Sequence, residues 1–385
     1  MVKSNSSAPS FFYYLSVMKI FLSIFFCLFP WFSQAQHFYL LIGTYTQTGS
    51  KGIYLYDFDA ASGKTKLLSQ TDSSANPSYL CISKDGNYVY SVNEETRGAV
   101  SAYRFDRIKE QLVFISQQSS GGAHPCHISV TSDNKYVFTA NYSGGSLAVF
   151  PINTEGSLQP FQQKIQHEGK SIDIVRQTGP HVHAVSLSPD EKYLLTPDLG
   201  TDRIHVYRFA SSGKNELIPA DPAYIRTEPG SGPRQLCFSA NGKWVYVVEE
   251  LSGKLTVYSF RGGVLKKLKS YSGHPTGAGN NHGSADVQMS PDGKFLYMSN
   301  RGNENTLAIF SVDKKTGLLQ PSGIISTEGD HPRNMLIDPT GQFLLVGNMK
   351  SDEVVVFKRD MQSGQLTAIH RFSVPRPACL KMTAR

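Results

Sequence analysis

Five side chains able to hold an anion or move a proton stand at matching offsets from six similar turns. The turns are Ser83-Lys-Asp-Gly, Thr131-Ser-Asp-Asn, Ser188-Pro-Asp-Glu, Ser239-Ala-Asn-Gly, Ser290-Pro-Asp-Gly and Asp338-Pro-Thr-Gly. Five places before each turn stand Ser78, Cys126, His183, Arg234, Ala285 and Arg333. Ten places after it stand Asn93, Asn141, Asp198, Glu249, Asn300 and Asn348, and one place further Glu94, Tyr142, Leu199, Glu250, Arg301 and Met349. Repetition makes structural residues alike, so a departure from the common residue is where function can be sought. The Asn and Asp positions read as strand ends that hydrogen-bond their own backbone. His183, Arg234, Arg333, Glu250 and Arg301 differ from most of their equivalents and are the candidates for chemistry.

Guanidinium forks suit a carboxylate or phosphate through paired charge-assisted hydrogen bonds. A carboxylate such as Glu250 or an imidazole such as His183 can take a proton from water or return one to a leaving alkoxide. An arginine aimed at a carbonyl oxygen stabilises the oxyanion of a tetrahedral intermediate. Together these point to ester or lactone hydrolysis. No Gly-x-Ser-x-Gly elbow is present, which disfavours a serine hydrolase. The pairs His181/His183 and His124/His127 have no Cys or carboxylate cluster beside them in the sequence, so no metal and no cofactor are expected.

The elements that must position these residues follow from the even recurrence of the turns, which open at Ser83, Thr131, Ser188, Ser239, Ser290 and Asp338. A period of about 50 residues is the mark of a repeat architecture. Each repeat has an apolar strand, the turn, a second strand rich in Tyr, Val and Leu, a third alternating segment such as Leu255-Thr-Val-Tyr-Ser-Phe, and a weaker fourth after a Gly turn. Four antiparallel strands per repeat make a propeller blade. Phe38–Thr44 and Gly52–Asp57 match strands two and three without a first strand, and Pro377-Ala-Cys-Leu-Lys-Met supplies it from the other terminus. The expected fold is therefore all-β, a seven-bladed β-propeller closed by its N- and C-terminal strands sharing one blade, with the two rows gathered at one mouth of the channel.

The run Ile20–Phe32, opened by Met18-Lys19 and followed by Ser33-Gln34-Ala35, reads as a secretory signal, giving residues 1–35 as the signal peptide and 36–385 as the propeller. The run falls well short of the roughly 20 apolar residues that a stable membrane span needs. Its removal takes Lys3 and Lys19 and no acidic residue, lowering the formal net charge from +7 to +5. Lys and Arg are otherwise scattered singly, which argues against nucleic acid as a partner. Export to the periplasm is expected, an oxidising compartment. Yet Cys81, Cys126, Cys237 and Cys379 are widely spaced in apolar contexts and read as free, mostly buried thiols. The Gly- and Asn-rich connection 273–283 is either a loop over the mouth or a surface insertion.

The chain resembles the bacterial propeller-type 6-phosphogluconolactonase family, the lactonase seven-bladed propellers, over Phe38 to Met382. The resemblance is carried by His124-Pro-Cys-His127, Pro180-His-Val-His183, Gly232-Pro-Arg234, Glu249-Glu250-Leu, Asp286, Asn300-Arg301 and His331-Pro-Arg333. It implies metal-free opening of 6-phosphogluconolactone or a related aldonolactone, with His183, Arg234, Glu250 and Arg301 as the catalytic set. It also puts Arg333, His127, Asn300 and Asp286 in the substrate pocket. In this reading Glu250, aided by His183, activates water while Arg234 and Arg301 hold the substrate. Two alternatives stay open: a cycloisomerase acting on a carboxylated diene with the same residues, and an exported propeller that binds a sugar acid without turnover, whose rim would show Arg–Glu pairs locked together. The expected partner is a small anionic lactone or sugar acid, and the protein a monomer or dimer.

Overall fold

The computed structural model describes residues 1–4, 36–72, 74–210, 216–275, 277 and 282–385. The signal-peptide expectation, save its first four residues, lies outside them. The unit His37–Arg385 is built from strands arranged as seven four-stranded antiparallel sheets. Among the described residues no helix is long and apolar enough to cross a membrane.

Why the chain repeats this way is visible in the second strand of each blade, which is buried on both faces and therefore reads as a nearly continuous apolar run. In blade 1, strand His37–Thr44 turns Leu40 and Ile42 toward blade 7 and Tyr39 and Leu41 toward blade 2. Every inter-blade interface has its own apolar cluster of this kind, and seven clusters tie the ring. Ring closure is as expected: Phe38 pairs with Ala384 and Ile42 with Leu380, so Pro377–Ala384 is the inner strand of blade 1. Cys379 and Leu380 are fully buried there. Truncating Leu380 to Ala would open a cavity at the seam and cost about 2–5 kcal/mol.

The turns between first and second strands repeat one hydrogen-bond device. Ser83 Oγ donates to Asp85 Oδ1 at 2.5 Å and accepts from Tyr88 N at 2.9 Å, while Asp85 Oδ1 also accepts from Asn87 N at 3.0 Å. Gly86 takes the left-handed conformation that the turn needs and that a residue without Cβ adopts freely. In blade 4 that position is Glu191, also left-handed, where a side chain carries a conformational cost. Its carboxylate accepts from Ser132 N and Oγ of blade 3 at 2.8 and 3.0 Å, an inter-blade tie that offsets the cost.

Two further features aim side chains at the channel mouth. The inner strands begin with a left-handed residue before a proline or one place from it: Asn76, His124, His331 and Arg376 all have positive φ. A β-bulge follows at once, with register shifts between Pro125 and His127, Pro233 and Gln235, Ser284 and Val287, and Pro332 and Asn334. Cys126, Arg234, Ala285 with Asp286, and Arg333 are thus the extra residues, freed from the ladder and re-aimed. The Asn row is structural, though its partners are not its own backbone. Asn93, Asn141, Asn300 and Asn348 each donate Nδ2 to a carbonyl of the incoming inter-blade connection, at Ala75, Ser120, Gly273 and Thr327. All four cysteines of the described residues are free thiols; Cys81, Cys126 and Cys379 are buried and Cys237 half-buried.

Candidate active site

The two rows converge as the offsets imply. A cavity of about 170 Å³ at one mouth of the channel is lined by Tyr45, Glu94, Cys126, Tyr142, Arg176, His183, Glu250, Arg301 and Arg333. Glu250 is its centre. Arg176 Nη2 lies 2.5 Å from Glu250 Oε1, while Arg234 Nε and Arg301 Nη2 each lie 2.8 Å from Oε2. The last two are ion-pair contacts off the hydrogen-bond axis, so neither arginine is saturated by the carboxylate. Arg301 is steered from behind by Nε donating to Gly283 O at 2.7 Å, and Arg234 by Nη1 donating to Ala285 O.

The electrostatics follow from burial and from these pairs. Burial alone would raise the Glu250 carboxyl, but Arg301, Arg234 and Arg176 outweigh it and hold it well below the ordinary carboxylate range, opposite charges favouring the ionised form. Burial brings Arg301 down to about 10, still cationic at neutral pH. Burial and the nearby Arg234 hold His183 well below the usual imidazole value, so its ring is neutral. His183 Nδ1 sits 3.9 Å from Cys126 Sγ, and Tyr142 packs on the ring edge-to-face at 5.4 Å. Burial pushes the Cys126 thiol up, away from the thiolate a nucleophile would need.

Arg333 occupies the opposite side of the cavity. Its Nη2 lies 3.6 Å from Glu94 Oε2, and its guanidinium stacks over Tyr45 at 5.1 Å. Glu94 also accepts from Tyr45 OH at 2.7 Å and from Ser78 Oγ. Four arginines against two glutamates leave the cavity with an excess of positive charge, suited to an anion.

Of the remaining expected pocket residues, His127 and Asp286 line a smaller adjoining space in the channel together with Cys126, His183, Arg234 and Arg333, and Asn300 lines neither space. Asn300 is wholly buried and its amide is spent: Nδ2 donates to Gly273 O and Thr306 Oγ1, and Oδ1 accepts from Ser284 Oγ. Asp286 is buried deeper in the channel, where it accepts from Asn334 Nδ2 at 2.7 Å and Met335 N at 2.8 Å and staples the inner strands of blades 6 and 7. His127 also faces below the cavity, its ring 4.2 Å from Tyr79 and its Nδ1 accepting from Val185 N. The alternation of the strand explains this: one residue past the bulged Cys126, the side chain belongs to the next layer down.

Conversely, offsets alone did not single out Tyr45, Glu94, Tyr142 or Arg176. The first three stand in the same row as Glu250, with Tyr45 filling it in the shared blade; a Tyr or Glu taken singly there carries no signal. Arg176 lies off both rows, on the connection 167–181. Asp173 Oδ1 caps Val175 N and Arg176 N at 2.9 Å, and buried Gln177 donates Nε2 to Leu199 O at 2.8 Å, which together hold Arg176 over the rim. Its one trace in the sequence is the interval from the Thr131 turn to the Ser188 turn, the longest between any two successive turns.

Fold and rim define the class: a seven-bladed propeller with a cationic, carboxylate-centred cavity at one channel mouth. The family model of the seven-bladed β-propeller lactonases matches residues 39–382, and the chain belongs to that family. It is 38% identical over 332 residues to a 6-phosphogluconolactonase of Formosa agariphila, covering 85% of this chain and 94% of that protein. To the 6-phosphogluconolactonase of Bacillus subtilis it is 34% identical over 347 residues, covering 88% and 97%. The structure of a periplasmic gluconolactonase of Pseudomonas aeruginosa superposes with a TM-score of 0.86 at 40% identity, covering 90% of this chain and 99% of that one.

Proposed function

We propose that this chain is an exported, periplasmic hydrolase that opens a sugar lactone, a 6-phosphogluconolactone or related aldonolactone, to the acid. The observation that carries the reading is the cavity itself: a neutral imidazole beside guanidinium groups only partly neutralised by carboxylates. Water attacks the lactone carbonyl carbon, His183 takes its proton, and Arg234 and Arg301 face the oxyanion that forms. The ring oxygen then leaves and recovers the proton from His183, giving a hydroxyl and a carboxylic acid, which ionises to the carboxylate and releases its proton to solvent. Glu250, with both oxygens engaged by three guanidiniums, serves better as the hub that aims those arginines than as the base, whereas the His183 ring, although burial and Arg234 lower its basicity too, has no ion-pair partner among the described residues. Export is supported by the leader-like run Ile20–Phe32, which has the form of a signal sequence, and by likeness to a periplasmic gluconolactonase.

Protein lacking residues 1–35, given phosphorylated and unphosphorylated lactones with acid release followed, should open at least one of them. His183→Asn should lower kcat at least 100-fold with KM little changed; an unaltered kcat would sink the role given to His183. The three pairs on Glu250 also favour a second reading, a propeller that binds a sugar acid without turnover. Ligand binding with no acid release across the whole panel would establish it instead.

A further inference from the structure

A second group of polar side chains sits beside the mouth, on the connection into blade 6, and takes no part in the chemistry above. His274, His282 and Glu304 bring one nitrogen or oxygen each to within 4.8 Å of one another. His274 Nδ1 is 2.5 Å from Glu304 Oε2, and His282 Nδ1 is 4.0 Å from Glu304 Oε1. The two imidazoles lie 4.1 Å apart, over Gly253 of blade 5. A Cβ on Gly253 would meet His274 Nε2 at 2.5 Å and His282 Cγ at 2.6 Å, so the cradle for both rings depends on that residue having no side chain.

The hydrogen bonds behind His274 decide which of its nitrogens carries a lone pair. Asn300 spends Nδ2 on Gly273 O and Thr306 Oγ1, so its Oδ1 is an acceptor and receives the hydroxyl of Ser284 at 2.9 Å. Ser284 Oγ, its proton used, accepts from His274 Nε2–H at 3.1 Å. With Nε2 as the donor, Nδ1 turns its lone pair to Glu304 Oε2 at 2.5 Å, and the two atoms would part to about 3 Å to share one cation. His282 Nδ1 is likewise buried, without a hydrogen-bond partner, and faces the same carboxylate. A backing network that fixes the tautomer and turns a lone pair inward is the usual outer shell of a metal-ligating histidine.

We propose that His274 Nδ1, His282 Nδ1 and Glu304 form a site for a divalent cation of the zinc class, with a fourth position open to water. Two imidazoles and one carboxylate are a donor set for zinc, cobalt or nickel rather than for magnesium or calcium, which take oxygen. The other comparable cluster among the described residues, His167, Asp198 and His205, lacks this character. His167 uses Nδ1 on Asp198 at 2.8 Å and Nε2 on Tyr207 OH at 3.0 Å, and Asp198 Oδ1 already accepts three backbone N–H groups. A cation bound at His282 also reaches the active site by a short route, since the next residue, Gly283, receives Arg301 Nε at 2.7 Å. The site would tie the connection into blade 6 to the Glu304 loop of that blade and, through Gly283, to the rim arginine.

The test uses tag-free protein stripped with a chelator and titrated with Co²⁺, then with Zn²⁺ as competitor. One equivalent of Co²⁺ should bind with visible d–d absorption of low coordination number, and Zn²⁺ should abolish that absorption. His282→Ala and Glu304→Gln, at partly exposed positions, should each weaken Co²⁺ binding at least tenfold, while His205→Asn should leave it unchanged. Melting curves in chelator confirm that each variant is folded, and His282→Ala alone suffices if Glu304→Gln is not. No Co²⁺ uptake, or uptake as tight in His282→Ala as in the parent, would overturn the site and leave His274 and Glu304 as a plain hydrogen-bonded pair.

Discussion

The two mouths of the channel are built from opposite ends of the same seven inner strands, yet they differ in almost every property that chemistry needs. One holds four arginines, two glutamates and a neutral histidine around about 170 Å³. The other opens on a larger space of about 560 Å³ lined by side chains such as Ile128, Val185, Leu236 and Met382, with Lys381 its single charged group. Lys381 lies 4.8 Å over the Tyr79 ring and has no carboxylate partner among the described residues there. Size therefore does not select the site. What differs is the backbone: at the charged mouth bulges free one residue from the ladder in the inner strands of blades 1, 3, 5, 6 and 7, and the second strands run on one residue past their last pair. Those two places are where blades diverge in sequence without disturbing the inter-blade core. At the other mouth the strands enter the Ser-Asp turns, whose hydrogen-bond device every blade must keep.

Substitutions at the charged mouth should have the largest effects. Removing the hub charge with Glu250→Gln leaves three guanidiniums repelling one another and should lower kcat/KM for lactone opening at least 100-fold, about 2.7 kcal/mol in transition-state terms. A fall of less than fivefold would erase the contrast between the mouths. Arg301→Lys keeps the charge but loses the fork that spans Gly283 O and Glu250, and should cost about 10- to 100-fold, mostly in kcat, because that arginine faces the oxyanion. Steady-state kinetics separate the two patterns.

The response of stability to pH is common to both mouths and sharpens the comparison from another side. Burial holds His183 and His127 well below the ordinary imidazole value and takes His331 and His205 down to about 3. These rings stay neutral in the folded chain while the unfolded chain binds protons below about pH 6.5. Stability is therefore complete above that pH and falls as pH drops toward the folded values, by up to about 1.4 kcal/mol per pH unit per ring. Glu250 differs, since its depressed carboxyl contributes stability above the unfolded carboxylate value that is lost only at lower pH. Chemical denaturation between pH 7 and 5 should show the fall, and His205→Phe should make it shallower. The smallest effect on turnover is expected at the apolar mouth, where Lys381→Met removes a charge that has no direct ion pair among the described residues and acts on buried Asp286 at longer range. Its turnover should stay within about twofold of the parent while its stability falls modestly; a collapse of activity would show that the two mouths communicate.

Much of this was open to reading along the chain, and the reason is specific. The Ser-Asp turns, the alternation of Tyr39 to Ile42, and the unmatched half-repeats at Phe38 and Pro377 are local patterns with a fixed period, so blade number, ring closure and the two rim rows follow from offsets alone. His183, Arg234, Glu250, Arg301 and Arg333 emerge the same way, because a repeat holds backbone constant and lets only chemistry vary. Other facts depended on which residues meet across the ring. Arg176 reaches Glu250 from 74 positions away, on an inter-blade connection longer than its counterparts in the other blades. The carboxylate expected to act as a base proved to be surrounded by guanidiniums that suppress its basicity. Asn300 was already committed to Gly273, Thr306 and Ser284, and His127 was turned one layer down by the pleat. Periodicity determines where a side chain stands in its blade; only closure of the ring decides what stands opposite it, and charge and hydrogen bonding respond to the neighbour.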